Sequence, residues 1–140
     1  MAYDPNNIFA KILRGEAPCF KVYEDEMTLS FMDVMPQAEG HTLVIPKFPA
    51  ENLFDLDPDF VAAQAKTTKI VAAAVKRAFD APGIMIAQLN GPAAGQTVFH
   101  FHTHIIPRSA GIDLALHARK LADFDLLKKH AERIKAELAD

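Results

Sequence analysis

"TVFHFHTHIIPR", residues 97–108, sets His100, His102 and His104 at every second position of a run otherwise built from Val, Phe, Thr and Ile. These are three of the six histidines in the chain. Period two, with β-branched and aromatic residues between, predicts a β-strand, in which residues i, i+2 and i+4 share one face. Neighbouring imidazoles on that face stand roughly 6–7 Å apart. The even face carries Val98, His100, His102, His104 and Ile106. The odd face, Phe99, Phe101, Thr103 and Ile105, is the expected core side, and Pro107 ends donation to the sheet.

Three uses of such a face compete. The imidazoles can be incidental, although imidazole packs poorly in a core and three in register gain little at a surface. They can hold a metal, because histidines at i and i+2 can share a zinc ion at about 2 Å, with His41 or Asp33 as a further ligand. They can serve phosphate chemistry, because a neutral imidazole is a nucleophile near neutral pH. That third use needs a phosphate cradle nearby. "NGPAAGQT", residues 90–97, offers one: Gly91 and Gly95 permit a tight backbone, and the amides of Gly95, Gln96 and Thr97 form a candidate anion nest.

Outward from this segment, the pattern predicts an α+β chain on an antiparallel sheet. A helix is expected over about 6–14, from Ile8, Phe9, Ile12 and Leu13 at helical spacing with Gly15 as a stop. Strands are expected near 20–23, 29–34, 41–47 and 83–90. Asp57-Pro58 opens a long helix running to about Phe79, with Asp57 as N-cap. On it, Phe60, Ala63, Ile70, Val71 and Ala74 make one apolar stripe, and Val61, Ala65, Ala72, Val75 and Phe79 make a second. Together they are wider than one sheet face needs, which leaves room for a second subunit. A last helix is expected over 124–138, with Leu127, Ala131, Ile134 and Leu138 on one face.

The 140 residues suit one domain, and half of them are hydrophobic, enough for a core. A net charge of −3 implies no broad attraction to nucleic acid. Cys19 is the only cysteine, which rules out an internal disulfide and a thiolate metal cage and fits a reducing cytoplasm. No apolar run approaches a membrane span, and "MAYDPNNIFAK" does not read as a signal peptide. Residues 1–140 are therefore expected to be one cytoplasmic domain without a membrane or nucleic-acid partner.

The segment His100-Phe101-His102-Thr103-His104-Ile105-Ile106 resembles the signature of the histidine triad family, His-φ-His-φ-His-φ-φ with φ apolar; Thr103 is a polar departure. "NIFAKILRGEAP", "KVYEDE", "FMDVMPQAEGHTLVIPK", "ENLFDL" and "NGPAAGQTVFHFHTHIIPR" resemble the family's segments in its order. The match runs over about 6–108, with a looser C-terminal helical extension over about 109–140, and it is similar to the Hint-type purine nucleoside phosphoramidase branch. The resemblance implies a five-stranded antiparallel sheet with two main helices and a homodimer. It implies hydrolysis of purine nucleoside phosphoramidates or related nucleotides through a covalent nucleotidyl-histidine. A dinucleoside polyphosphate hydrolase of the same family and a nucleotide-sensing interaction protein are the alternatives. It further implies that His102 is the nucleophile, that His100 and His104 flank it, with His104 against phosphate or leaving group, and that His41 supports His102 indirectly, through outer hydrogen bonds. Asn90 and Thr97 correspond to phosphate contacts, with Gly95, Gln96 and Val98 beside them. Asp33 corresponds to the ribose carboxylate. Ile8, Phe9, Ile12, Phe31, Val34 and Leu43 correspond to the purine slot. Many bacterial relatives bind zinc with a Cys-x-x-Cys pair and two histidines. Asn7, Ala10 and Pro49 stand at three of those places, so neither metal nor other cofactor is expected. His117 and His130 are expected at the surface, and Cys19 is expected to be inert.

Overall fold

The computed structural model describes residues 2–111 and 121–138. Strands β1 (Lys21–Glu24), β2 (Thr28–Met32), β3 (Thr42–Pro46), β4 (Gly83–Gln88) and β5 (Thr103–Arg108) form one antiparallel sheet in the order β1-β2-β3-β5-β4. Helices α1 (Ile8–Leu13), α2 (Pro58–Ala78) and α3 (Phe124–Leu138) complete the expected α+β architecture. The boundaries follow local chemistry. Asn7 caps α1 by accepting the amide of Ala10 at 2.9 Å. Asp57 caps α2 through the amide of Asp59, with Pro58 at the first helical position.

Strand alternation divides the core into two sides. Met32, Val44 and Ile105 face α2 and α3 and pack with Val71, Ala74, Val75, Leu127 and Ile134. Leu29, Phe31, Leu43 and Ile45 pack with Phe9 of α1 on the other side. Each of these apolar side chains larger than alanine contributes roughly 1.5–3 kcal/mol by leaving water. The α1 side is the one that carries the candidate site.

The long helix buries a different line from the expected stripes. Its buried residues are Gln64, Thr67, Thr68, Val71, Ala74 and Val75, whereas Val61 and Ile70 are each 37% exposed. Polar residues serve in this line because they meet the sheet's own polar groups. Gln64 Nε2 donates to the Val44 carbonyl and to Thr103 Oγ1, both at 3.1 Å, and the Thr67 and Thr28 hydroxyls lie 2.7 Å apart. Val61 and Ile70, with Ala62, Ala65 and Ala73, are left on the outer face. Strand β4 pairs only with β5, and its Ile86 is 48% exposed.

α3 covers the residues expected, and its buried line includes His130 together with Leu127, Ala131 and Ile134. The surface expectation for His130 is corrected: its ring packs edge-on against Phe79, with centroids 5.0 Å apart. An imidazole edge tolerates an aromatic neighbour there, which periodicity alone does not reveal. His117 lies outside the described residues. Cys19 is half-buried against the α1-side core, and burial pushes its thiol up, away from the reactive thiolate.

Candidate active site

The histidine strand begins later than the alternation suggests. β5 starts at Thr103, so His104 alone of the three lies on a strand, and His100 and His102 precede it in irregular backbone. The cause sits at Phe101. Its amide donates to the Ala50 carbonyl at 2.8 Å rather than to a neighbouring strand, and its ring fills a small cluster with Ala50 and Leu56. The single imidazole face is thereby replaced by two arrangements. His102 and His104 stay together, with ring centroids 4.9 Å apart. His100 is anchored separately: its Nε2 donates to the Pro46 carbonyl at 2.9 Å, and its Nδ1 receives the Tyr3 hydroxyl at 2.6 Å.

His41 enters from the loop before β3. Gly40, with φ +85°, lets that loop pass over Phe79; a Cβ there would lie 2.8 Å from the ring. His41 itself is 1% exposed. Its Nε2 lies 2.9 Å from His104 Nδ1 and 3.4 Å from Asp33 Oδ2. His41 makes no direct hydrogen bond to His102; it bonds His104, whose ring adjoins that of His102. The loop delivers His41 to the strand position of His104, which pairs with Leu43 across β3 and β5, and the direct bond is made there.

Backbone groups fix where the hydrogens sit. The Gln37 amide can only donate, so His41 Nδ1 accepts it at 3.0 Å and His41 carries its hydrogen on Nε2. That N–H makes His104 Nδ1 an acceptor and leaves His104 with its hydrogen on Nε2. His102 Nδ1 donates to the His100 carbonyl at 2.7 Å, which leaves the His102 Nε2 lone pair free. A nucleophilic nitrogen and a hydrogen-bond donor thus stand side by side. Burial holds all these rings neutral. It pushes His41 down to about 3 and His100 and His104 to about 4, and it lowers His102 against the opposing pull of the His100 carbonyl.

The apolar slot residues divide. Phe9, Phe31 and Leu43 are buried together, and Ile12 packs against them. Phe9 meets His102 edge-on at 5.0 Å, which links this apolar cluster to the histidines. Ile8 and Val34 are 47% and 38% exposed and border the slot without filling it. Asp33 Oδ1 accepts the Met35 amide at 2.8 Å. Burial outweighs that bond and pushes the carboxyl up to about 6, so it remains mostly ionised at neutral pH.

The glycine loop is built differently from the expected nest. The amides of Gly95 and Gln96 already donate within the loop, to Pro92 and Gly91 carbonyls at 3.0 and 3.1 Å. Gln96 is buried as a brace: its Nε2 donates to the Glu51 and Val98 carbonyls, and its Oε1 accepts the Gly91 amide at 2.8 Å. Gly95 turns the chain at φ +101°. The expected contacts of Gly95 and Gln96 with phosphate are corrected to loop closure. Exposed Thr97 and half-buried Val98 remain as the segment leading into the histidines. Asn90 Oδ1 accepts the Leu53 amide at 2.9 Å and the Gln88 side chain at 2.8 Å, tying this loop to the turn before α2.

A HIT domain model matches residues 14–111. The chain belongs to the HIT domain family. Its similarity to adenosine 5'-monophosphoramidase HNT1 of Candida albicans is 36% identity over 146 residues, covering 99% of this chain and 95% of that protein. It is 43% identical over 101 residues to adenylylsulfatase HINT3 of Arabidopsis thaliana, covering 72% of this chain and 51% of that protein; the chain spans about half of that relative's length. The crystal structure of a Hit-like protein from Bartonella henselae, solved with an unknown ligand, matches with a TM-score of 0.91 and 48% identity, over 97% of this chain and 99% of that one. The open five-stranded antiparallel sheet is common to this HIT protein and that neighbour.

The zinc site that the family resemblance implies for relatives does not fit these residues. Asn7 is committed to the cap of α1, through its Oδ1 to Ala10 and its Nδ2 to the Asp4 carbonyl at 2.7 Å. Ala10 and Pro49 offer no ligand atom, and both nitrogens of His100 are engaged. Among the described residues, Asp33, His41 and His104 are the one group with three ligand-type atoms within 4.8 Å of one another. The hydrogen-bond chain already described accounts for their closeness. Three parts of this HIT site escaped sequence reasoning: Tyr3, the Pro46 carbonyl and the Gln37 amide. The last two act through backbone, so side-chain identity carries no signal of them.

Proposed function

We propose that this HIT protein cleaves the bond to the α-phosphate of purine nucleoside phosphoramidates by way of a nucleotidyl-His102 intermediate. The observation that carries the reading is the pairing of a free Nε2 lone pair on His102 with an Nε2–H on His104, their rings 4.9 Å apart. The neutral His102 Nε2 attacks the α-phosphorus in line as the P–N bond to the leaving group breaks. The hydrogen on His104 Nε2 passes to the departing amine. Water then attacks the phosphorus, gives one hydrogen back to His104 Nε2, and releases the nucleoside monophosphate as the P–N bond to His102 breaks, with both rings restored. Thr97 and Asn90 face the phosphate oxygens, Asp33 takes the ribose hydroxyls, and Ile8, Phe9, Ile12, Phe31, Val34 and Leu43 border the base. His100 holds the nucleophile from behind through its carbonyl.

Support for this substrate class comes from the phosphoramidase named among the relatives. The adenylylsulfatase among them supports a wider range in which the leaving group on the α-phosphate varies. A panel of adenosine 5'-monophosphoramidate, adenylyl sulfate and a dinucleoside polyphosphate tests the reading. The highest kcat/KM is expected on the phosphoramidate. Preference for the polyphosphate contradicts it in favour of a dinucleoside polyphosphate hydrolase. Tight nucleotide binding without turnover of any of the three contradicts it in favour of a nucleotide-sensing interaction protein.

The reading includes a homodimer of one cytoplasmic domain spanning 1–140, with no nucleic-acid or membrane partner. The outer face of α2 and the free edge of β4, with Val61, Ile70 and Ile86 exposed, support the dimer. No helix among the described residues is long and apolar enough to cross a membrane. Sedimentation is expected to give about twice 15.4 kDa, and a monomer at micromolar concentration contradicts it.

A further inference from the structure

Ala10 and Pro49, two of the positions without a zinc ligand, line one cavity of about 450 Å³ together with His100 and Tyr3. His100 is 1% exposed there. Its Nε2 must carry hydrogen to reach the Pro46 carbonyl, so its Nδ1 is a bare acceptor, and the Tyr3 hydroxyl meets it at 2.6 Å. The two rings stand edge to face, with centroids 5.7 Å apart. The backbone carbonyl of the same His100 holds the Nδ1–H of His102.

We infer that Tyr3 is a positioning residue for catalysis: by donating to His100 Nδ1 it locks the ring whose carbonyl orients the His102 imidazole. The inference rests on the reading of His102 as nucleophile. Its physical content is tautomer control across two residues. A buried imidazole nitrogen without a partner either takes a proton or lets its ring rotate. Either change at His100 loosens the carbonyl that keeps the His102 lone pair aimed, and small misplacements of a nucleophile cost rate steeply. A phenol from the N-terminal segment holds the ring in place. The other charged groups at the cavity are already paired and do not replace it. Lys47 reaches Glu24 at 2.7 Å, and Arg14 is bonded to Glu16. Asp4 adjoins Tyr3, and His102 is the titratable neighbour on the other side.

Tyr3→Phe tests this in the full chain, because it removes the hydroxyl and keeps the ring. The variant is expected to lose about tenfold in kcat with KM within about twofold, as a positioning loss should. The acid limb of its pH–rate profile is expected to move upward, since His100 can then accept a proton. Nitrogen NMR of ¹⁵N-histidine-labelled protein is expected to show His100 as one fixed Nε2–H tautomer in the parent, and as a titrating or mixed species in the variant. Parent-like kcat, pH profile and His100 shifts in the variant overturn the inference. A loss of rate accompanied only by a fall in Tm, with His100 shifts unchanged, also overturns it and leaves Tyr3 a role in folding. Altered His100 shifts with unchanged turnover overturn the link to His102. If chemical quench in the parent also finds no adduct on His102, the failure lies in the reaction assigned to the site rather than in the Tyr3 contact.

Discussion

The Nε2–H of His41 stands 2.9 Å from Nδ1 of His104, so a histidine 63 residues away in sequence sets which nitrogen of the triad's last ring carries hydrogen. The Gln37 amide sets His41 in turn, at 3.0 Å. The hydrogen on His104 Nε2 is thus fixed by a backbone donor two hydrogen bonds away. Tautomers of this kind are assigned by their partners, and here each partner can act in only one sense.

Removing His104 should therefore hurt reactions in proportion to the leaving group's need for a proton. His104→Ala is expected to keep measurable turnover, yet to lose roughly 10²–10⁴-fold on an amine leaving group. On a phenolate leaving group of low basicity the loss should be far smaller. His41→Gln, which retains an N–H donor, should follow the same pattern at lower amplitude. Steady-state kcat on paired amidate and aryl-ester substrates reads this directly, and equal losses on both would remove His104 from leaving-group protonation.

Acid should destabilise the fold before most carboxylates titrate. His41 is pushed down to about 3, and His100 and His104 to about 4. An unfolded imidazole binds its proton below about 6.5. Between pH 6.5 and 4 the unfolded state consequently binds more protons, and stability falls as pH falls. Asp33 acts in the opposite direction: raised to about 6, it binds its proton in the folded state first, and so favours the fold as pH drops through 6. Three rings outweigh one carboxyl. A net loss of roughly 1–3 kcal/mol per pH unit is expected between 6 and 4.5. Urea midpoints measured at several pH values check it, and a flat midpoint from pH 7 to 4.5 contradicts it.

Asp33 offers a test of sugar recognition. Its carboxyl is partly buried and ionised at neutral pH, with Oδ1 on the Met35 amide. Asp33→Ala is expected to weaken ribonucleotide binding by roughly 1–3 kcal/mol, as for a lost charged hydrogen bond, and to weaken 2′,3′-dideoxynucleotide binding much less. Calorimetry on both nucleotides decides, and equal losses would assign Asp33 to holding His41 alone.

The architecture was legible because hydrophobic periodicity and caps are local. Gly15 and Asp57-Pro58 mark helix ends, and strands fall near the expected stretches 20–23, 29–34, 41–47 and 83–90. The misreadings share a cause in long-range polar pairing. Alternation predicted a strand through His100 and His102, but the Phe101 amide is taken by Ala50. Composition drew apolar stripes on α2, but sheet carbonyls and hydroxyls select Gln64 and Thr67 for its buried line. Glycines suggested open amides at 95 and 96, but the loop closes on them itself. The triad's neighbours were legible by side-chain type at His41 and Asp33. Tyr3 was not, because nothing in its local sequence anticipates a contact 97 residues away.

The central claim is that the bare Nε2 of His102 takes the nucleotidyl group. Rapid chemical quench during turnover of a slow phosphoramidate, followed by peptide mass mapping, measures it most directly. The expected result is a nucleoside monophosphate adduct on His102, together with a His102→Ala variant that loses kcat by several orders of magnitude while binding nucleotide within about tenfold of the parent. An adduct on His100, His104 or His41, or an active His102→Ala protein, would contradict it.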